Sequence, residues 1–207
     1  MVQTWLKKAL AANNPAARGA RSDYDLNGNA DAARKLGEPA RQAAVLVPIV
    51  EHSGSETILL TKRTETLTKH AGQVSFPGGS IDDTDHDEVS AALRETHEEI
   101  GLTADYIDIH GRLDSYRTGT GFDIAPIVAT VRPGFSLTLD QSEVAEAFEV
   151  PLDFILDRRN HQRQSAVWQG RRREYYAMPY DGYFIWGATA AMLVNLVDVL
   201  EAVREQA

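Results

Sequence analysis

Apolar runs broken by polar punctuation divide the chain into predictable elements. Within residues 2–12, Trp5, Leu6 and Leu10 share one side of a short amphipathic helix. Residues 13–40 are polar, rich in Gly, Ala and Asn, and weakly periodic, which predicts an extended arm or loop. From Ala43 the run AAVLVPIV reads as a buried strand and ETILLTKR as a second, separated by the turn-prone His52-Ser53-Gly54-Ser55. A helix ends at Gly101, with Val89, Leu93, Thr96 and Ile100 on its core-facing side. YIDIHGRLDSYR, FDIAPIVATV and FSLTLD then predict short strands, with turns at Gly119 and Gly121 and at Pro133-Gly134. VAEAFEVPLDFIL predicts a strand entering a short helix near Pro151, and SAVWQGRRREYYAMPY a hairpin turning at Gln169-Gly170. A last helix spans about Gly187 to Arg204, with Ala190, Leu193, Val194, Val197 and Leu200 at helical spacing. Val150, Leu152, Phe154, Ile155, Trp186 and Met192 are expected in the core. There is no repeat and no internal linker. Strands mixed with few helices indicate an α+β layered domain.

Composition narrows the function classes. With 207 residues, 43% of them hydrophobic and 25% charged, the chain reads as one ordinary globular domain with extensions. No apolar run approaches the roughly 18 residues of a membrane helix, and MVQTWLKKAL lacks a signal-peptide core, so a cytoplasmic location is expected. The absence of cysteine removes disulfides, thiolate metal sites and cysteine nucleophiles. A net charge of −9 argues against broad nucleic-acid binding. An acidic enzyme acting on a polyanion must concentrate positive charge locally or bring it in as metal.

The chemistry concentrates between Phe76 and Leu102, in FPGGSIDDTDHDEVSAALRETHEEIGL. Gly78 and Gly79 allow a tight turn and a close ligand approach. On a helical wheel Glu95, Glu98 and Glu99 cluster opposite the apolar side, with Arg94 one turn before Glu98. Glu95 and Glu99 are a like-charged i,i+4 pair, costing about 0.2–0.5 kcal/mol. The late glutamates also sit at the unfavourable end of the helix dipole. Such an arrangement suits oxygen coordination of a hard divalent cation beside substrate phosphates. On helix arithmetic alone, a solvated acidic face is the more common outcome.

The surrounding residues change that balance. Arg94, Glu95, Glu98, Glu99, Gly101 and Leu102 follow the Nudix box, G-x5-E-x7-R-E-U-x-E-E-x-G-U, in which U is apolar. Thr96 replaces one apolar residue, Ser80 stands at the box glycine, and the early acidic position falls on His86 between Asp85 and Asp87. Upstream, LLTKRTETLTKHAGQVSFPGG resembles the coenzyme A pyrophosphatase motif LLTxR[SA]x3Rx3Gx3FPGG. Leu59, Leu60, Thr61, Arg63, Gly72, Phe76, Pro77, Gly78 and Gly79 match, whereas Thr64 replaces Ser/Ala and Thr68 replaces the second Arg. RTGTGFDIAPIV, EVAEAFEVPLDFILD and YFIWGATAAML are similar to family stretches at the same places in the chain.

The resemblance implies a Nudix-type α/β/α sandwich around a mixed β-sheet, comprising residues 41–207 after an N-terminal extension over residues 1–40 and closing with the C-terminal helix. It implies a hydrolase that cuts coenzyme A or acyl-CoA to 3′-phosphoadenosine 5′-phosphate and 4′-phosphopantetheine. Glu95, Glu99 and Glu98, with main-chain groups at Gly79, would hold Mg²⁺ or Mn²⁺. Glu98, Arg94 and Glu143 are the candidate catalytic groups: a glutamate as base, Arg94 to orient the carboxylates, and Glu143 as base or further ligand. Arg63, His70, Gly72, Gln73, Phe76 and Gly78 are the candidate substrate contacts. The partner is then a small nucleotide derivative, with neither nucleic acid nor membrane involved. A homodimer is left open. Two alternatives stand: a pyrophosphatase for another nucleoside diphosphate derivative such as ADP-ribose, favoured by Thr68, and a non-catalytic nucleotide-binding regulator, disfavoured by the intact glutamates.

Other chemistries find little support. Ser75 and Ser80 lack a G-x-S-x-G elbow, the glycines lack a G-x4-G-K-[ST] loop, and the histidines lack H-x3-H or H-E-x2-H spacing. Arg158, Arg159, Arg163, Arg171, Arg172 and Arg173 place six of the 21 basic residues in one window. They form a solvated hairpin with its approach or, alternatively, an anion clamp for a terminal phosphate.

Overall fold

The computed structural model describes residues 2–13, 19–27, 39–68, 70–168 and 170–204. The predicted apolar runs become strands β2 (Arg41–His52) and β3 (Ser55–Arg63), joined through a turn with Gly54 at φ 89°. Side chains alternate across a strand. Accordingly Val47 and Ile49 of β2 enter one hydrophobic cluster while Ala44 and Leu46 enter another. A strand buried on both faces needs layers on both sides, and the chain supplies them.

The strands are β1 (Arg21–Ser22), β2, β3, β4 (Val74–Ser75), β5 (Gly78–Ser80), β6 (Ile107–Arg112), β7 (Tyr116–Arg117), β8 (Phe122–Val131) and β9 (Val144–Pro151). Among the described residues they form a mixed sheet with the order β1-β7-β8-β2-β3-β4; β5 pairs with β2, β6 with β8 and β9 with β3. β2 runs parallel to β8, whereas its pairings with β3 and β5 are antiparallel. Helix α2 (Glu88–Ile100) covers one face: Ala91 and Ala92 pack with Ala44, Leu46, Ala125, Ile127 and Ala129. These small side chains let the helix lie close to the sheet. The other face carries α1 (Val2–Ala12), the short α3 (Leu152–Leu156) and α4 (Gly187–Arg204). It also carries a three-stranded sheet of β10 (Gln162–Trp168), β11 (Arg171–Tyr180) and β12 (Tyr183–Trp186). The fold class is α+β around a mixed sheet, as the sequence predicts.

The N-terminal segments are bound into this body. Leu6, Ala9 and Leu10 of α1 are buried in the same cluster as α4. Residues 14–18 and 28–38 of the expected arm lie outside the described residues, but residues 19–27 are anchored. β1 pairs in parallel with β7. Asp23 accepts hydrogen bonds from Tyr116 Oη (2.7 Å) and Gly119 N (2.6 Å). Arg21 bridges Asp114 at 3.2 Å and Asp198 of α4 at 2.8 Å, and Arg158 holds Asp198 at 2.6 Å and Glu201 at 2.5 Å.

Three expectations need correction. FSLTLD is not a strand: Phe135, Leu137 and Leu139 alternate onto a hydrophobic cluster, but the backbone caps α2 instead of joining the sheet. Thr138 N donates to Ile100 O and Asp140 N to Glu99 O, each at 2.9 Å, satisfying carbonyls that a helix end leaves free. Trp186 is 36% exposed rather than in the core, because strand alternation turns Ile185 inward and Phe184 and Trp186 outward. On α2 the buried residues are Ala91, Ala92, Thr96, Glu99 and Ile100, while Leu93 is only partly buried. The buried side of α2 is thus turned from the predicted one toward Ala91 and Ala92, and it takes in Glu99, a carboxylate that the wheel placed on the charged side.

Candidate active site

The placement of the carboxylates begins with how α2 starts and stops. Asp87 caps its N-terminus, accepting from Ser90 N at 2.7 Å while Asp87 N donates back to Ser90 Oγ at 2.9 Å. Gly101, at φ 71°, ends it with its N–H bonded to His97 O. Between them Thr96 fills an apolar position at no hydrogen-bonding cost, because its hydroxyl donates to Ala92 O at 2.6 Å.

The turn containing Gly78 and Gly79 lies directly against this helix. Gly78 N donates to Glu99 Oε2 at 3.1 Å. A Cβ on Gly78, whose φ is 146°, would stand 2.4 Å from Ala44 O, and one on Gly79 would stand 2.5 Å from a Glu95 carboxylate oxygen. Backbone contact and a left-handed φ require glycine at Gly78, whereas a side chain at Gly79 would push the Glu95 carboxylate out of place. Glu99 is only 4% exposed. Burial pushes its carboxyl up to about 7; the Gly78 amide and Arg63 oppose the shift, and Glu143 and Glu95 add to it. Burial also raises Glu95, against the pull of Arg94, with Glu98 and Glu143 adding to the rise.

Arg94 organises the remaining charges. Its Nη1 donates to Glu95 at 2.9 Å and to Glu98 at 3.0 Å. Its Nε and Nη2 grip Asp85 at 3.0 and 2.8 Å, and Nη2 also reaches Ser80 O at 3.1 Å. This fork holds the Asp85 carboxyl down at about 2. Asp85 was not among the residues singled out from sequence, although it adjoins the early acidic position that His86 fills. The usable signal was its location in an acidic loop preceding an Arg whose own helix carries four glutamates, Glu88, Glu95, Glu98 and Glu99.

Arg63, at the end of β3, points at the same place: Nη1 is 3.5 Å from Glu99 and Nη2 is 3.4 Å from Glu143. Glu143 is tied there through its backbone, since Thr64 N donates to Glu143 O at 2.9 Å. The structure therefore brings Arg63, Gly78, Gly79, Arg94, Glu95, Glu98, Glu99 and Glu143 together from four separate parts of the chain. The other candidates stand apart from the carboxylates. Gly72, at φ 67°, folds its loop around the Glu65 side chain. His70 Nδ1 bonds Gln73 Oε1 at 2.9 Å, and Gln73 O accepts from Arg63 N at 2.9 Å, so these residues shape the loop beside Arg63. Phe76 is 2% exposed and packs in the core beneath the turn, where it anchors the backbone and has no free surface to offer a ligand.

The donor set fits a hard divalent cation. It consists of carboxylate oxygens, two of them on groups whose charge burial disfavours and a nearby cation would favour. Among the described residues no three acidic or histidine side chains form a ready cage; Arg94 pairs with Glu95 and Glu98, and Arg63 with Glu99 and Glu143.

A model of the NUDIX domain matches residues 40–169. The chain belongs to the Nudix family. Its relatives include the uncharacterised Nudix hydrolase NudL of Cronobacter sakazakii, 40% identical over 156 residues, which are 75% of this chain and 81% of that protein. NudL of Escherichia coli (strain K12) is 37% identical over the same shares of the two chains. A solved Nudix hydrolase from M. smegmatis, RenU, superposes with a TM-score of 0.54 at 19% identity, over 80% of this chain and 89% of that one, which shows the shared fold. Membership supports a pyrophosphohydrolase of small nucleoside diphosphate derivatives, in a family that generally uses divalent metal ions such as Mg²⁺ or Mn²⁺. No helix among the described residues is long and apolar enough to cross a membrane.

Proposed function

We propose that this Nudix hydrolase cleaves the diphosphate of coenzyme A or a short acyl-CoA, releasing 3′-phosphoadenosine 5′-phosphate and the (acyl-)4′-phosphopantetheine. The observation that supports this reading is the meeting of two sequence motifs on one side chain. Glu99 of the Nudix box touches Arg63 of LLTKR through one oxygen and Gly78 of FPGG through the other. The residues resembling the coenzyme A motif thus adjoin the hydrolytic carboxylates.

Glu95 and Glu99, with Glu98 and the main chain at Gly79, would hold Mg²⁺ or Mn²⁺. When bound, the cation neutralises diphosphate charge and polarises the phosphorus. The chain's own groups do the positioning. Arg94 fixes Glu95 and Glu98 through its grip on Asp85. Arg63, beside Glu99 and Glu143, would offer its guanidinium to a substrate phosphate. Glu143, solvent-accessible and within reach of Arg63, would accept a proton from water or serve as a further ligand. The loop of His70, Gly72 and Gln73 borders the substrate beside Arg63.

The test is a substrate panel in Mg²⁺ containing coenzyme A, a short acyl-CoA, ADP-ribose and nucleoside triphosphates, with products separated by chromatography. Coenzyme A or the acyl-CoA should give the highest kcat/KM, with 3′-phosphoadenosine 5′-phosphate as one product. A preference for ADP-ribose of about tenfold or more in kcat/KM would replace this reading, and Thr68 would be the first residue to examine. No hydrolysis of any substrate would leave the regulator reading.

A further inference from the structure

The six arginines between residues 158 and 173 separate into committed and uncommitted groups. Arg158 is held by Asp198 and Glu201, and Arg159 by Asp157 at 2.6 Å. Arg173 lies over the Tyr24 ring, 5.6 Å from its centroid. The side chain of Arg171 lies outside the described residues. Arg163 and Arg172 differ: among the described residues no carboxylate comes within ion-pair distance of either. Arg172 Nε donates only to Ser165 Oγ, at 3.0 Å.

These two arginines line one open concavity of about 260 Å³ with Gln164, Ser165 and Glu174. The hairpin register explains the grouping. Arg163, Ser165 and Val167 oppose Tyr176, Glu174 and Arg172, so they share one face of the β10–β11 ribbon. The ribbon is backed firmly at this point. The Asn27 side chain donates to Glu174 O at 2.9 Å and accepts from Glu174 N at 2.6 Å, taking the place of a third strand where β12 does not reach. Two guanidinium forks against one carboxylate leave the concavity net positive, in a chain whose net charge is −9.

We propose that Arg163 and Arg172, with the Ser165 hydroxyl, bind a phosphate monoester dianion, at a site separate from the Nudix carboxylates. Guanidinium forks match phosphate oxygens bidentately, and a hydroxyl supplies a further donor. The phosphate is carried either by the enzyme's own substrate or by a second molecule. The site does not depend on the substrate proposed above.

Titration of the full chain with inorganic phosphate, followed through the arginine Nε–H resonances, tests it. Arg163 and Arg172 should shift saturably. Arg163→Gln/Arg172→Gln should weaken phosphate binding by about tenfold or more, with Arg159→Gln unchanged; Arg163→Lys/Arg172→Lys, which keeps charge and loses the fork, should fall between. Shifts that never saturate, or equal affinity in the double Gln variant, would overturn the site. Comparing kcat/KM for coenzyme A and dephospho-coenzyme A in the double variant identifies the source. A loss confined to coenzyme A places the substrate's own phosphate here, and an unchanged ratio alongside lost phosphate binding points to a second molecule. Phosphate binding in a protein that does not hydrolyse coenzyme A would overturn the proposed substrate and leave this site standing.

Discussion

Two charged networks in this protein are built from the same residue types and serve opposite ends. On the α4 side Arg21 and Arg158 meet Asp114, Asp198 and Glu201 at 2.5–3.2 Å, and Asn195 donates to Asp114 at 3.1 Å. Every acid there has a cation against it, and the network fastens residues 19–27 and the segment after α3 to the last helix. On the α2 side six acids, Asp82, Asp85, Glu95, Glu98, Glu99 and Glu143, share Arg94 and Arg63, and for the buried Glu99 the nearest cation is Arg63 at 3.5 Å. Burial raises Glu95 and Glu99, so the fold works against their charge. The α4-side network sets a cation against each acid, though Asp114 keeps one buried oxygen without a hydrogen bond, and it holds structure together; the α2-side network, with six acids to two cations, is prepared for a charge from outside.

The largest expected effect lies on the α2 side. Glu95→Gln and Glu99→Gln keep side-chain size and remove charge, so turnover in Mg²⁺ should fall by several orders of magnitude while circular dichroism stays native. Asp114→Ala should do the reverse. It removes a carboxylate only 2% exposed and its hydrogen bonds from Arg21 and Asn195, while Arg21 keeps Asp198, costing about 1–3 kcal/mol in chemical denaturation, with turnover per folded molecule preserved. A loss of turnover in Asp114→Ala at full folding would blur the division between the networks.

The pH dependence of stability sharpens it further. The folded-state value of Glu99 is raised from 4.5 to about 7. Its protonated form therefore favours the fold: that contribution is complete below pH 4.5 and is lost as pH rises through about 7. Without divalent cation, Glu99→Gln should be more stable than the native chain at pH 8 by on the order of 3 kcal/mol. The gap should shrink to nothing as pH falls through that window. A gap independent of pH would mean that Glu99 is not held against its charge.

Much of this was legible in the sequence wherever period and motif agree. The runs from Ala43 and Glu56, the β10–β11 hairpin and α4 follow from side-chain periodicity, which local patterning preserves. What escaped depended on contacts distant in sequence. The wheel grouped Glu99 with Glu95 and Glu98 but could not bury it, since burial requires the Gly78 turn to fold back across 21 residues. FSLTLD has a strand's alternation, but its hydrogen bonds go to the end of α2. Residues 19–27 looked like loop because they dock through the polar side chains of Asp23 and Asn27 and not through apolar spacing. Trp186 is apolar in composition yet outward by strand parity. Asp85 sits one residue before the position where the family pattern places its acid, and only the grip of Arg94 reveals it.

The central claim is that the α2 carboxylates are left short of positive charge in order to take up a divalent cation, and thermal melting in a Mn²⁺ titration tests it most directly. A ligand that binds only the folded state raises stability with its concentration. The native chain should therefore melt progressively higher as Mn²⁺ is added. Glu99→Gln should begin higher at pH 8 and gain little, while Asp114→Ala should begin lower and gain as much as the native chain. An equal Mn²⁺-dependent rise in Glu99→Gln and the native chain would contradict the account.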